Sequence, residues 1–144
     1  MLIPTPGTHL LLPNVCIAEI IPWRRIKMLP GGPSWCMGHI DWRGRIVPVV
    51  HYASFADENA PIPTSARCLV VMNRARNPRG LAFYAFVAVG LPRMMQLLED
   101  DLQNNNADLG VADVMQVRVG TEDAVIPSLE FIEGRLMSLP AVES

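Results

Sequence analysis

The residues best equipped for chemistry in this chain are three cysteines and three histidines. Only Cys36-x-x-His39, with His51 further on, brings them near one another in sequence. A thiolate and an imidazole at that spacing supply two zinc ligands, whereas a structural zinc site uses four. No further cysteine or acidic residue completes the set, and the neighbouring Trp35 and Trp42 suit packing better than ligation. A Cys/His nucleophile pair would have to meet in space, and no local motif announces one. Arg74, Arg76 and Arg79 share a loop that lacks the glycine-rich cradle or helix N-terminus of a phosphate site. Asp100-Asp101 reads as solvated acid at a loop rather than a paired acid and base, and there is no nucleophile elbow. The sequence therefore assigns no catalytic residue, no metal site and no cofactor. A small domain without such a constellation is a binding module, not an enzyme, and its function lies in its surface.

Composition supports that reading. The 144 residues suffice for one domain, half of them are hydrophobic and 18% are charged, which favours a compact fold over disorder. Twelve basic against fourteen acidic residues leave a net charge of −2, without the basic footprint of a nucleic-acid binder. The apolar run at 80–92 is interrupted by Gly90 and is shorter than the roughly 20 residues of a spanning helix, so membrane insertion is not expected. The N-terminus lacks the pattern of a secretion signal. Three widely spaced cysteines, Cys16, Cys36 and Cys68, read as buried thiols in a reducing compartment, so a cytoplasmic location is expected.

The elements follow in order. Residues 1–13 read as a hairpin with turn chemistry at Pro4-Thr5-Pro6-Gly7-Thr8. Residues 14–21 alternate, with Val15, Ile17, Glu19 and Ile21 on one parity. A carboxylate on a core-facing parity needs a partner, unless Glu19 sits on a solvated edge. Residues 23–33 form a loop with Arg24, Arg25 and Lys27, either solvated or facing an acidic partner. Residues 38–52 give strand, tight turn, strand, with Gly44 where the turn wants φ > 0. After a polar connection at 53–63, strands are expected at 67–72 and 81–89, joined by the arginine loop at 73–80. The 81–89 strand is apolar on both faces, hence central. At 91–102 periodicity indicates a helix, with Leu91, Met94, Met95, Leu97, Leu98 and Leu102 recurring at helical spacing. Strands at 114–119 and 124–129 and a short helical turn at 131–136 close the chain. The string at 43–48 has a faint echo at 120–127.

The stretch Gly-His-Ile-Asp-Trp-Arg-Gly-Arg-Ile-Val-Pro-Val-Val-His-Tyr, from Gly38 to Tyr52, resembles the signature of the CheW family of chemotaxis coupling proteins. That signature reads roughly Gly-x-x-Asn-x-Arg-Gly-x-x-x-Pro-Val-x-Asp-Leu. Gly38, Arg43, Gly44, Pro48 and Val49 match it, while Asp41 replaces the asparagine and His51-Tyr52 replaces Asp-Leu. The likeness runs from about Leu10 to Leu136 and weakens after Gly90. His51, Val89 and Ser128 stand where the family usually has aspartate, which marks a divergent member.

The resemblance implies an all-β fold of two SH3-like five-stranded barrels packed side by side, with few helical turns. One barrel would span about 14–75 and the other 1–13 plus 76–144. For 91–102 it implies a strand and an acidic loop in place of the helix. It implies a non-enzymatic adaptor that joins the tip of a methyl-accepting chemoreceptor to the regulatory domain of a CheA-type histidine kinase. Divergent couplers of this look also serve chemosensory systems controlling type IV pili and twitching motility. Carried over by motif, Ile17, Glu19, Gly38, Arg43 and Gly44 would border the receptor groove, with Glu19 and Arg43 forming a structural pair. The alternative is a β-barrel module that takes peptides or a small ligand outside chemotaxis.

Overall fold

The structure is a computed structural model that describes residues 1–28, 31–61, 66–73, 83–95 and 109–138, with the backbone alone at 103–104. Its strands are β1 (Leu2–Thr5), β2 (Thr8–Leu11), β3 (Ile17–Pro22), β4 (Cys36–Trp42), β5 (Arg45–Val50), β6 (Cys68–Met72), β7 (Tyr84–Ala88), β8 (Gln103–Asn104), β9 (Asp113–Val119) and β10 (Glu122–Pro127). One helix, α1, covers Leu129–Leu136, and short 3-10 turns cover Asn14–Cys16 and Tyr52–Phe55. The strands form two five-stranded sheets, ordered β3-β6-β7-β5-β4 and β1-β2-β10-β9-β8.

The two sheets share a plan. Each contains a hairpin with a two-residue turn, β4–β5 and β9–β10, and each has one parallel pairing, β5 with β7 and β2 with β10. These hairpins carry the two stretches that echo one another in sequence. β7 lies in the first sheet although the expected division at 75/76 assigned it to the second. The first sheet therefore draws on residues 17–88. The apolar sequence of β6 and β7 explains why they are central. Leu69, Val71, Ala85 and Val87 pack into the first sheet's own core, while Val70, Met72, Tyr84 and Phe86 face a second core.

That second core joins the halves. Ile3, Leu10, Val125 and Ile132 of the second sheet and α1 meet Val50, Val70 and Phe86 of the first. The segment after β7 adds backbone bonds across the join: Val89 N–H donates to Pro4 O at 2.9 Å, and Leu2 and Arg93 exchange bonds at 2.8 and 2.9 Å.

The all-β architecture of two five-stranded sheets is as expected; among the described residues no continuous ladder closes either sheet into a barrel. Between the outer strands β3 and β4 no ladder runs; the segment after β3 makes one bridge to β4, Lys27 with His39, and Glu19 of β3 meets Trp42 of β4 through side chains. The helix expected from periodicity at 91–102 does not form over 91–95. Pro92 and the Leu2–Arg93 pairing hold that piece extended, and residues 96–102 lie outside the described residues. The arginine loop at 74–80 lies outside them too.

Candidate functional site

The β4–β5 turn is where the sequence sets geometry most tightly. Trp42 pairs with Arg45, so only Arg43 and Gly44 make the bend. Their φ values are 50° and 74°, both left-handed, as a type I′ turn requires. Gly44 adopts this freely; Arg43 does so against the steric preference of an L side chain. The bend aims an exposed guanidinium, its side chain 68% accessible, outward from the sheet.

Three groups meet beside it. The Trp42 ring is buried against Phe83 at a centroid distance of 4.9 Å, and a buried indole N–H needs an acceptor. Glu19 supplies one: Trp42 Nε1 donates to Glu19 Oε1 at 2.7 Å. Arg43 Nη2 lies 3.5 Å from the same oxygen, and its guanidinium stands 5.1 Å from the Trp42 ring centre. The indole hydrogen bond is the main cause that holds the Glu19 carboxyl below its ordinary value of 4.5; desolvation opposes it, and the charges of Arg43 and Arg24 add to the lowering. β3 and β4 are the outer strands of their sheet, so this contact joins the sheet's two edges.

The remaining expected site residues lie elsewhere. Gly44 is in the turn itself. Ile17 is half-buried at the start of β3, packs against the shared core, and is separated from Glu19 by a register shift. Gly38 is buried: a Cβ there would sit 2.0 Å from the Lys27 carbonyl oxygen, and its φ is 140°. It permits the Lys27 backbone to pair with His39. The sequence reading overlooked Trp42 as the group that binds Glu19. A tryptophan at the end of an apolar strand, with an indole to satisfy, was the available signal.

The Cys36 and His39 pair makes no site. The Cys36 thiol is buried, points to Gly38 O, and is pushed up by burial, away from the reactive thiolate. Among the described residues no three His, Cys, Asp or Glu side chains gather closely enough to hold a metal ion. No described helix is long and apolar enough to cross a membrane.

The positions that depart from the aspartate pattern have separate uses. Buried His51 meets Pro61 O at 2.8 Å through Nε2. Val89 is part of the backbone join, and the Ser128 Oγ caps α1 by accepting from Phe131 N–H at 3.2 Å. A cleft of about 300 Å³ also opens between Gly7, Tyr52, Phe55, Val111 and Val125. Beside it, Tyr52 donates to Ala112 O at 3.0 Å and bonds the Asp113 carboxylate, tying the 52–55 turn to β9.

A family model described as a CheW-like domain matches residues 1–130. The structure is similar to that of the scaffolding protein TtCheW from Thermoanaerobacter tengcongensis. The TM-score is 0.72 at 12% identity, over 91% of this chain and 84% of that one. No curated protein sequence matches the chain.

Proposed function

We propose, from the premise that the chain belongs to the CheW-like domain family, that it is a non-enzymatic adaptor in chemosensory signalling. In this reading it couples the tip of a methyl-accepting chemoreceptor to the regulatory domain of a CheA-type histidine kinase, in the cytoplasm. The two sheets act as the two barrels of such an adaptor, each curled around its own core, with residues 17–88 forming the first.

The observation that carries the reading is Arg43. Among the described residues it is the only non-glycine with a left-handed backbone, and its side chain is exposed. Strain of this kind persists where the side chain serves a purpose other than stability. Arg43, backed by Glu19 and Trp42 and flanked by Gly44, is the receptor contact. Ile17 supports it from the β3 end, and Gly38 acts from beneath. The departures at His51, Val89 and Ser128 favour an accessory array, such as one controlling type IV pili, over the main flagellar one.

The test is a binding experiment with two partners, a CheA-type regulatory domain and a receptor-tip fragment. Binding to both supports an adaptor, and binding to neither overturns it. The cleft beside Tyr52 and Phe55 favours a second reading, a peptide- or small-ligand-binding module. Amide shifts confined to that cleft on adding ligand, without either signalling partner binding, would select it.

A further inference from the structure

We propose that the ledge at residues 23–28, together with the neighbouring Arg45, is a docking surface for an acidic protein segment that carries an apolar side chain. The inference does not rest on the receptor reading, because this surface only borders Arg43.

The ledge is irregular in sequence yet firmly held. Ile26 is buried, the Lys27 backbone exchanges two bonds with His39 at 2.8 and 2.9 Å, and the Arg24 guanidinium donates to Asp41 O at 2.6 Å. A surface fixed in advance loses little freedom on binding. At its two ends it presents Trp23, 43% exposed, and Met28, 64% exposed. Tryptophan, methionine and arginine are the residue types enriched at interface centres.

Charge identifies the occupant. Residues 19–45 hold five of the twelve basic residues and two of the fourteen acidic ones. Those two carboxylates are already engaged, Glu19 with Arg43 and Asp41 with Lys27. Arg25 and Arg45 have no carboxylate partner among the described residues, whereas Arg24 donates to Asp41 O and its charge reaches Glu19; Arg45 stands 5.3 Å from the Phe83 ring centre. Two cations without a carboxylate partner, on a surface that also exposes an indole and a thioether, complement an acidic segment with an apolar anchor. The chain as a whole carries a net charge of −2, without the basic footprint of a nucleic-acid binder, and the exposed indole and thioether call for an apolar side chain, so a protein partner is favoured over nucleic acid.

The experiment uses the whole chain, isotopically labelled, titrated with a short peptide of alternating glutamate and leucine. A lysine-for-glutamate analogue and an oligouridylate serve as the competing probes. The expected result is amide shifts centred on 23–28 and 45, with affinity falling about tenfold as salt rises from about 0.05 to 0.3 M. The single variants Arg25→Glu and Trp23→Ala should each weaken binding by at least about tenfold while melting as the parent does. Shifts elsewhere or none, equal binding of the lysine analogue, tighter binding of the oligouridylate, or indifference to both variants would each overturn the proposal.

Discussion

At the β4–β5 turn a residue that costs stability has been kept. Asparagine tolerates the left-handed conformation better than arginine and is the favoured first residue of a type I′ turn. Arg43→Asn should therefore raise stability by about 0.5–1 kcal/mol, seen as a higher melting temperature. Glu19 and Arg43, expected from the sequence as a structural pair, lie within ion-pair distance at 3.5 Å. Both side chains are accessible, 37% for Glu19 and 68% for Arg43, and an exposed pair holds little. Arg43→Ala should leave the melting temperature nearly unchanged. Glu19 makes its own contribution in acid. Its pKa is lowered in the folded state, so that contribution is full above the ordinary 4.5 and fades as pH falls through the lower folded value. Urea titrations of the wild type and Glu19→Gln should run parallel above pH 4.5, with the wild type losing more below it. The Glu19–Arg43 pairing was legible because a carboxylate on an inward parity demands a counterpart. The part played by Trp42 was not, since an indole's acceptor depends on how two edge strands meet.

Elements were legible where local chemistry decided them. The hairpins, the apolar strands β6 and β7, and the Gly44 turn follow from alternation and turn residues. The short helix at the end was legible only as a turn at 131–136 after a strand drawn to 129, whereas the strand ends at Pro127 and Ser128 caps α1; Ser128→Ala should cost about 1 kcal/mol, measured by denaturant titration. Residues 91–95 misled because their helical spacing competes with an unpaired edge of β1, and pairing Arg93 with Leu2 satisfies backbone that a helix start would leave open. Gly38 was legible only as a match to the family signature, and its steric reason was not. A side chain there must displace the Lys27 backbone as well as adopt φ of 140°. Gly38→Ala should lower stability by about 3 kcal/mol. It should also broaden the amide signals of residues 23–28, because the Lys27–His39 bridge is lost. A variant as stable as the parent would show that the ledge is not seated on this glycine.

On the scale of the whole molecule, the two sheets share a core that neither could complete alone. Val70, Tyr84 and Phe86 of the first pack with Leu10, Val125 and Ile132 of the second half. Heating should thus give one transition, with far-UV and near-UV signals coincident, and Ile132→Ala should shift it as a unit at a cost of about 2–5 kcal/mol. Two separated transitions would mean independent barrels. This sharing also explains why the boundary between halves was hard to place: β7 feeds both cores, so composition does not change where one half ends. The central claim is that an exposed arginine at a strained bend is kept for a partner. It is tested most directly by titrating a receptor-tip fragment into the wild type and Arg43→Asn while melting both. The account predicts that the variant loses binding by about tenfold or more and melts no lower than the wild type. Unchanged binding, or binding that falls only alongside the melting temperature, would contradict it.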